Sequence, residues 1–345
     1  MPAPRRDLVL RDRFGRVARD LRVSLTDRCT LRCSYCMPPE GLDWLPTELT
    51  LTDAEVVELC RIAVQRLGVR EIRFTGGEPL LRRGLETIVA AVADLTTDQG
   101  QVPGLAMTTN GLGLAHRAQA LAAAGLQRAT VSLDTLDPDH FRQITHRDRL
   151  ADVLAGMRAA QAAGLTPLKV NAVIMRGVND ADAGPLLDHC LAVGAELRFI
   201  EQMPIGPPTA WDRAQVVTKD DILELLSAHH ELAPAASDDP SAPARLWTVD
   251  GDPTRRVGII ASVTDPFCDA CDRTRVTSDG QVRSCLFATQ EVDLRQILRS
   301  GQSPDQVEEQ VVEAWAAAMW AKPEAHGLDT SRFAVPSRTM SRIGG

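Results

Sequence analysis

Nowhere does the chain run to the roughly 18 consecutive apolar residues that a membrane-spanning helix needs, although 44% of its residues are hydrophobic. Its beginning, MPAPRRDLVLRDRFG, has no apolar stretch of the kind an export signal carries. A cytoplasmic protein with no membrane partner is therefore expected. An excess of positive charge is missing too: 38 lysines and arginines face 46 aspartates and glutamates, for a net charge of −8. That balance argues against a nucleic-acid partner, while leaving room for a local basic pocket that takes a phosphorylated small molecule. The motif G-x4-G-K-[ST] does not occur, which disfavours a P-loop nucleotide hydrolase. Tyrosine is almost absent, Tyr35 being the only one.

Cysteine, by contrast, is present eight times. Cytosolic thiols stay reduced, so clusters of them suggest metal or redox chemistry rather than a disulfide framework. Six of the eight form two triplets: Cys29, Cys33, Cys36 and then Cys268, Cys271, Cys285. Cys60 and Cys190 stand alone within helical patterns and read as core packing residues.

At 345 residues the chain is long enough for two domains, or for one large α/β domain with an appendage. Through residue 203 one unit recurs: a short β-rich run, a polar or glycine-rich stretch, an Ala/Leu-rich helical segment and a closing glycine. The strand candidates are LRVSL, EIRFTG, LAMTT, ATVSLD, LKVNAVIM and ELRFIEQM. In the first helix Thr52 and Glu55 have capping-box spacing and Gly68 suits the C-terminal turn, a place that Gly125, Gly164 and Gly194 take later. Strands alternating with helices imply a parallel sheet with right-handed crossovers. The expected fold is α/β: a partial, open (β/α)6 barrel of TIM type over residues 1–203, with a smaller α+β domain over 204–345. A doubly wound sheet is the competing arrangement. In a barrel the chemistry belongs at the C-terminal ends of strands, and the unusual motifs lie on or just after these strands. Residues 233–244, APAASDDPSAPA, read as a surface loop, residues 304–321 as an amphipathic helix and RTMSRIGG as an unstructured tail.

The first triplet is C-x3-C-x2-C. A zinc site would want a fourth Cys or His nearby and an ordinary electron-transfer cluster a fourth cysteine, and the loop holds neither. A [4Fe–4S] cluster on three cysteines leaves one iron open for a substrate or cofactor, and a zinc or incidental reading stands beside it. The flat ring of Tyr35 is placed to pack beside an aromatic ligand. TGGEP, residues 75–79, follows the second strand, where Gly76 and Gly77 either admit a ligand to the backbone or make a tight βα turn. Ser132 either hydrogen-bonds the same ligand or caps a helix.

The second triplet is C-x2-C-x13-C, with SDGQ (278–281) reading as the hairpin turn that returns Cys285 to Cys268 and Cys271. Zinc is the usual guess there, yet the fourth ligand is again absent. Inside it Arg273 and Arg275, at i and i+2 on an extended segment, project the same way and either suit a phosphate or carboxylate or form a solvated charge pair, the commoner fate of exposed arginines. Arg22, Arg73, Lys169 and Arg198 lie on the barrel strands, where a charge is costly to bury without a partner. They suggest a polyanionic ligand in the mouth, or else internal salt bridges with Glu201 and neighbouring acids.

A C-x3-C-x2-C loop with an aromatic residue before its last cysteine, just after the first strand of a βα repeat, resembles the radical S-adenosylmethionine (SAM) superfamily. Adding the second triplet, the R-T-R within it and Gly344-Gly345, the chain from about residue 15 onward is similar to the GTP 3′,8-cyclases of molybdenum cofactor biosynthesis. The resemblance implies two [4Fe–4S] clusters, the first on Cys29, Cys33 and Cys36 with SAM, the second on Cys268, Cys271 and Cys285 with the guanine of GTP. It places Tyr35, Gly76, Gly77, Ser132 and Met203 at SAM. It places Arg22, Arg73, Thr108, Lys169, Arg198, Arg273, Thr274 and Arg275 at GTP, and sends Gly344 and Gly345 into the active site. Arg22, Arg273, Arg275 and the two glycines are then the residues expected to matter for catalysis.

The implied reaction is a lyase reaction in which a 5′-deoxyadenosyl radical takes the 3′ hydrogen of GTP and C3′ adds to C8. An electron donor and a downstream cyclic pyranopterin monophosphate synthase are implied as partners, and a homodimer is in view because family members often pair. Thr30 and Glu71 depart from the family's habit of Asn and a basic residue at those places, and the resemblance assigns no role to Asn110 or Glu201. The rival readings are a peptide-modifying radical SAM enzyme with an auxiliary cluster and a non-catalytic iron or zinc protein.

Overall fold

The computed structural model describes residues 9–207, 211–237, 239–328, 333 and 335–344. The first long helix, Asp53–Gln65, starts as its sequence dictates: the Thr52 hydroxyl accepts from Glu55 N at 3.2 Å, and the Glu55 carboxylate accepts from Thr52 N at 2.7 Å. Three residues past its end Gly68 takes a left-handed φ of +73°, and the chain turns into the sheet.

Among the described residues the strands are β1 (Asp20–Ser24), β2 (Glu71–Thr75), β3 (Gly104–Thr109), β4 (Arg128–Ser132), β5 (Lys169–Ile174), β6 (Glu196–Glu201), β7 (Leu232–Ala235), β8 (Arg245–Val249), β9 (Asp252–Ile260), β10 (Arg273–Val276), β11 (Gln281–Arg283) and β12 (Val292–Asp293). They form one sheet in the order β12-β11-β10-β1-β2-β3-β4-β5-β6-β9-β8-β7. The run from β10 through β6 to β9 is parallel, and antiparallel pairs finish both edges. Strands β1 to β6 stand side by side in chain order, with none of the reversal that marks a doubly wound sheet. The six expected strands therefore make the open barrel. Chain beyond residue 204 supplies both of its borders, β10 beside β1 and β9 beside β6.

Side chains alternate across each strand. Leu21, Val23, Ile72, Phe74, Val131, Val170 and Phe199 join the helices in one apolar core, which also takes in Cys60 and Cys190. The intervening residues, Arg22, Arg73, Thr108, Thr130, Lys169, Asn171 and Arg198, belong to the opposite face. Parallel strands are usually apolar on both faces, so this polar interior marks the space it encloses.

Two expectations are corrected. Residues 233–235 of the supposed surface loop belong to the edge strand β7, where Pro234 is tolerated opposite Trp247. The tail is ordered as well: Met340–Ile343 form a short helix with Ser341 and Ile343 buried.

Candidate active site

The loop after β1 folds on itself, with Cys33 O accepting from Cys36 N at 2.8 Å and Met37 N at 3.0 Å. Cys29, Cys33 and Cys36 line one cavity of about 140 Å³, together with Tyr35, Gly76, Gly77, Thr108, Asn110, Ser132, Asp134, Met340 and Ser341. The glycines of TGGEP are dictated by the protein's own backbone. A Cβ on Gly76, whose φ is +147°, would stand 2.5 Å from Thr26 O, and one on Gly77 would collide with the carbonyls of Asp27 and Arg28. Only glycine lets the cysteine loop approach β2 this closely, and both glycines still face the cavity.

Behind them lies a group that the motif reading passed over. The Glu78 carboxylate is fully buried and accepts from Leu80 N at 3.0 Å, the Thr109 hydroxyl at 2.7 Å and Asn110 N at 2.7 Å. Burial pushes its pKa up to about 7 despite those donors. So held, Asn110 gives its Nδ2 to Thr30 Oγ1 at 2.9 Å and to Cys29 Sγ at 3.6 Å. The unusual Thr30 is thereby an acceptor within the loop. Tyr35 donates its hydroxyl to Asp134 Oδ2 at 2.9 Å, while Asp134 Oδ1 accepts from Val173 N. Burial raises Asp134 to about 6, Cys29 to about 11 and Cys36 to about 12, and lifts Cys33 well above the usual thiol range. Met203 is not among the cavity-lining residues. It packs on a small apolar cluster of Ile205, Val263, Phe287, Leu328 and Ile343, which Met340 also joins.

Sheet register assembles the cations. Arg275 on β10 stands beside Arg22 on β1, which stands beside Arg73 on β2. Neighbouring strands are about 4.8 Å apart, and two like charges at about 5 Å repel by roughly 3 kcal/mol at an effective dielectric near 20. Burial, with some help from neighbouring arginines, lowers Arg22 and Arg275 to about 9 and Arg73 to about 10, against the opposing pull of Asp20 on Arg22 and Arg73. Arg198 and Lys169 are lowered too, chiefly by burial. Lys169 reaches Glu196 at 3.0 Å, Arg198 Nε donates to Asn171 at 3.0 Å and Arg73 to Thr130 at 3.2 Å. Yet among the described residues the Nε atoms of Arg22, Arg73 and Arg273 are buried with no hydrogen-bond partner.

Two readings need correcting against this geometry, those of Thr274 and Glu201, and the departure at Glu71 finds its place. Thr274, between the two arginines, faces the other way, and its hydroxyl accepts from Trp315 Nε1 at 2.9 Å. Glu201 is not in a salt-bridge network; it accepts from the backbone of Lys219, Val263 and Thr264 at 2.8 to 2.9 Å, tying the end of β6 to later loops. Glu71 is exposed and pairs with Arg128.

The second triplet is assembled by the hairpin β10–β11, whose turn needs the φ of +79° at Gly280. Its thiols sit close enough to raise one another: Cys285 and Cys271 add to the burial that lifts Cys268. Cys271 behaves oppositely. Burial would raise it, but Lys322 and Arg273 bring it below the usual thiol value. Each triplet offers three cysteine sulfurs, and neither motif brings a fourth cysteine or a histidine. Soft thiol donors in threes, with one ligand position left open, are a donor set whose chemistry fits an iron–sulfur cluster.

The tail spans the two regions. Arg338 forks onto Asp279 at 3.0 and 2.9 Å and reaches Glu291 at 3.0 Å. Met340 and Ser341 then wall the first cavity, and Gly344 O accepts from Arg275 at 2.8 Å. At φ +87°, a Cβ on Gly344 would stand 2.9 Å from Ser24 Cβ. Gly345 lies outside the described residues.

Comparison with known proteins agrees with this arrangement. Residues 23–190 match the Radical SAM superfamily and residues 195–328 match Molybdenum Cofactor Synthesis C. A GTP 3′,8-cyclase of Corynebacterium glutamicum is 55% identical over 341 residues, covering 98% of this chain and 89% of its own length. One from Streptomyces coelicolor is 56% identical over 338 residues, covering 98% of this chain and 96% of its own. Among solved structures, Streptococcus suis SuiB bound to S-adenosylmethionine aligns with a TM-score of 0.57 at 15% identity, over 91% of this chain and 68% of that one. That last likeness is one of fold.

Proposed function

The chain belongs to the GTP 3′,8-cyclases of the radical SAM superfamily, and we propose that the barrel interior carries out the family's reaction with the residues described above. That reaction, a lyase step of molybdenum cofactor biosynthesis, converts GTP to (8S)-3′,8-cyclo-7,8-dihydroguanosine 5′-triphosphate. SAM and two [4Fe–4S] clusters are the cofactors, with Cys29, Cys33 and Cys36 holding the first cluster and Cys268, Cys271 and Cys285 the second. When bound and reduced, the first cluster with SAM supplies the 5′-deoxyadenosyl radical that removes the 3′ hydrogen.

The protein's own contribution is binding, orientation and shielding. Arg22, Arg73, Lys169, Arg198, Arg273 and Arg275 take the triphosphate, an anion that suits the partnerless Nε groups of Arg22, Arg73 and Arg273. Tyr35, Gly76, Gly77 and Ser132 receive SAM, with Met203 behind them on the apolar cluster it shares with Met340, and Thr108 belongs to the GTP side. Gly344 closes the mouth from the tail side, its carbonyl on Arg275, and no side chain serves as a nucleophile. The observation that carries this reading is the row Arg275–Arg22–Arg73, three arginines in register on neighbouring strands of the polar interior.

Around this core, a one-electron donor feeds the first cluster and a cyclic pyranopterin monophosphate synthase takes the product. The chain works as a homodimer in the cytoplasm, where thiols stay reduced; no helix among the described residues is long and apolar enough to cross a membrane. A division near residue 203 is supported by the two family matches, which meet between residues 190 and 195.

The test is anaerobic turnover with SAM, a reductant and GTP deuterated at C3′. Formation of 5′-deoxyadenosine that requires GTP and carries the deuterium is the expected result. SAM cleavage indifferent to GTP would move the substrate elsewhere, and no cleavage by the fully loaded protein would leave a non-catalytic metal protein.

A further inference from the structure

Lys322 has only 2% of its surface exposed, and its ammonium is committed to one short segment. Nζ donates to the carbonyls of Cys271 and Arg273, each at 3.0 Å, and to Cys271 Sγ at 3.3 Å. An ammonium has three N–H donors, and three acceptors meet it here. None of the three is a carboxylate, and only the sulfur can carry a full negative charge.

The anchor is firm, since Lys322 N also closes the end of the helix Pro304–Trp320 on Met319 O at 3.0 Å. Arg273 adds a longer contact to the same sulfur, 3.9 Å from Nη1. Asp272, the neighbouring acid, is itself opposed by Arg273, and burial raises its carboxyl. Among the described residues no side-chain cation donates to a sulfur of the first triplet, although Arg32 acts on Cys29 from a distance. That triplet's sulfur contact from a side-chain nitrogen is the neutral amide of Asn110 at 3.6 Å, while Arg32 gives N–H groups to the carbonyls of Cys29 and Leu31 instead.

We propose that Lys322 is a positioning residue of the second cluster: its buried ammonium, 3.3 Å from Cys271 Sγ, raises that cluster's reduction potential above that of the first. The inference rests on reading Cys268, Cys271 and Cys285 as a cluster site. Reduction adds one electron and one negative charge to a cluster, so a fixed cation and an N–H donor on a ligating sulfur both favour the reduced form.

The full-length chain, reconstituted anaerobically with iron and sulfide, is titrated with dithionite while EPR follows both clusters. Added SAM identifies the signal of the first. Lys322→Met removes the charge and Lys322→Arg keeps it. The expected result is a second cluster at least tenfold harder to reduce in Lys322→Met, about 59 mV for a one-electron couple. The first cluster stays in place, and Lys322→Arg lies close to wild type. An unchanged second potential, or equal shifts in both variants, overturns the inference. Should Lys322→Met assemble no second cluster, Lys322→Gln is read by the same two criteria. A single cluster in the wild-type chain overturns the underlying site reading, and the inference falls with it before any variant is made.

Discussion

Behind the first cysteine triplet stand two buried acids, Glu78 and Asp134, and behind the second stand two cations, Lys322 and Arg273. Each acid raises a thiol of the first set, Glu78 acting on Cys29 and Asp134 on Cys33, on top of burial. Each cation lowers Cys271 in the second, against burial. Cys29 and Cys33 thus feel buried acids where Cys271 feels buried cations, although Arg32 works against Glu78 at Cys29 and burial raises Cys268. An acidic surround disfavours adding an electron and makes the reduced cluster a stronger donor, which suits the side that must cleave SAM. A basic surround eases reduction and favours anions, which suits the side facing GTP. Counting cysteines cannot tell the two apart; the residues one layer out can.

The sharpest way to break this contrast is at the residues shared by the second triplet and the phosphate row. Arg273→Ala with Arg275→Ala removes two buried charge-assisted donors, each worth about 1.5 to 3 kcal/mol. GTP-dependent 5′-deoxyadenosine formation should fall by roughly a hundredfold or more, while SAM binding, followed by equilibrium dialysis, persists. Unchanged turnover would remove the arginines from the substrate site.

On the first side, Glu78 should leave its mark on stability against pH. Its folded pKa of about 7 lies above the 4.5 of an ordinary glutamate. Between those values the native state holds a proton that the unfolded chain has lost, so stability falls as pH rises through the window, by roughly 3 kcal/mol in all. Glu78→Gln should flatten that slope in denaturant titrations from pH 4 to 8; an equally steep slope in the variant would place its origin elsewhere.

The smallest effect is expected from Asn110→Ala. Losing a neutral amide at 3.6 Å from Cys29 Sγ should move the first cluster's potential by less than Lys322→Met moves the second. A larger shift would mean that the neutral contact outweighs the ammonium and would invert the contrast drawn here.

Much of this was readable in the chain itself. The six strands, the Thr52 cap, both triplets and the basic strand positions each follow from local pattern. Thr274 was legible and still misplaced: strand alternation alone turns it away from Arg273 and Arg275. Lys322 was not legible, because it lies 51 residues from Cys271 in a stretch without periodicity, and only the fold brings the two together. Glu78 sat in plain view within TGGEP, but its acceptor role depends on Thr109 and Asn110, about 30 residues on. The tail misled because its polar, glycine-ended composition conceals the Asp279 and Glu291 partners that hold Arg338.

Strand β1, the earliest in the chain, pairs with β10, and Arg16 just before it reaches Cys268 O, 252 residues away. During synthesis β1 through β6 emerge first and can cover their apolar faces with their own helices. The outer edge of β1 nevertheless stays open, an invitation to wrong pairing, until residues 273–276 arrive. The guanidinium row is split by the same junction, Arg22 and Arg73 waiting for Arg275. Contacts of such separation are slow to form, so a nascent chain cannot hold its nucleotide, and iron is best delivered to a finished polypeptide whose border strand has already been sealed.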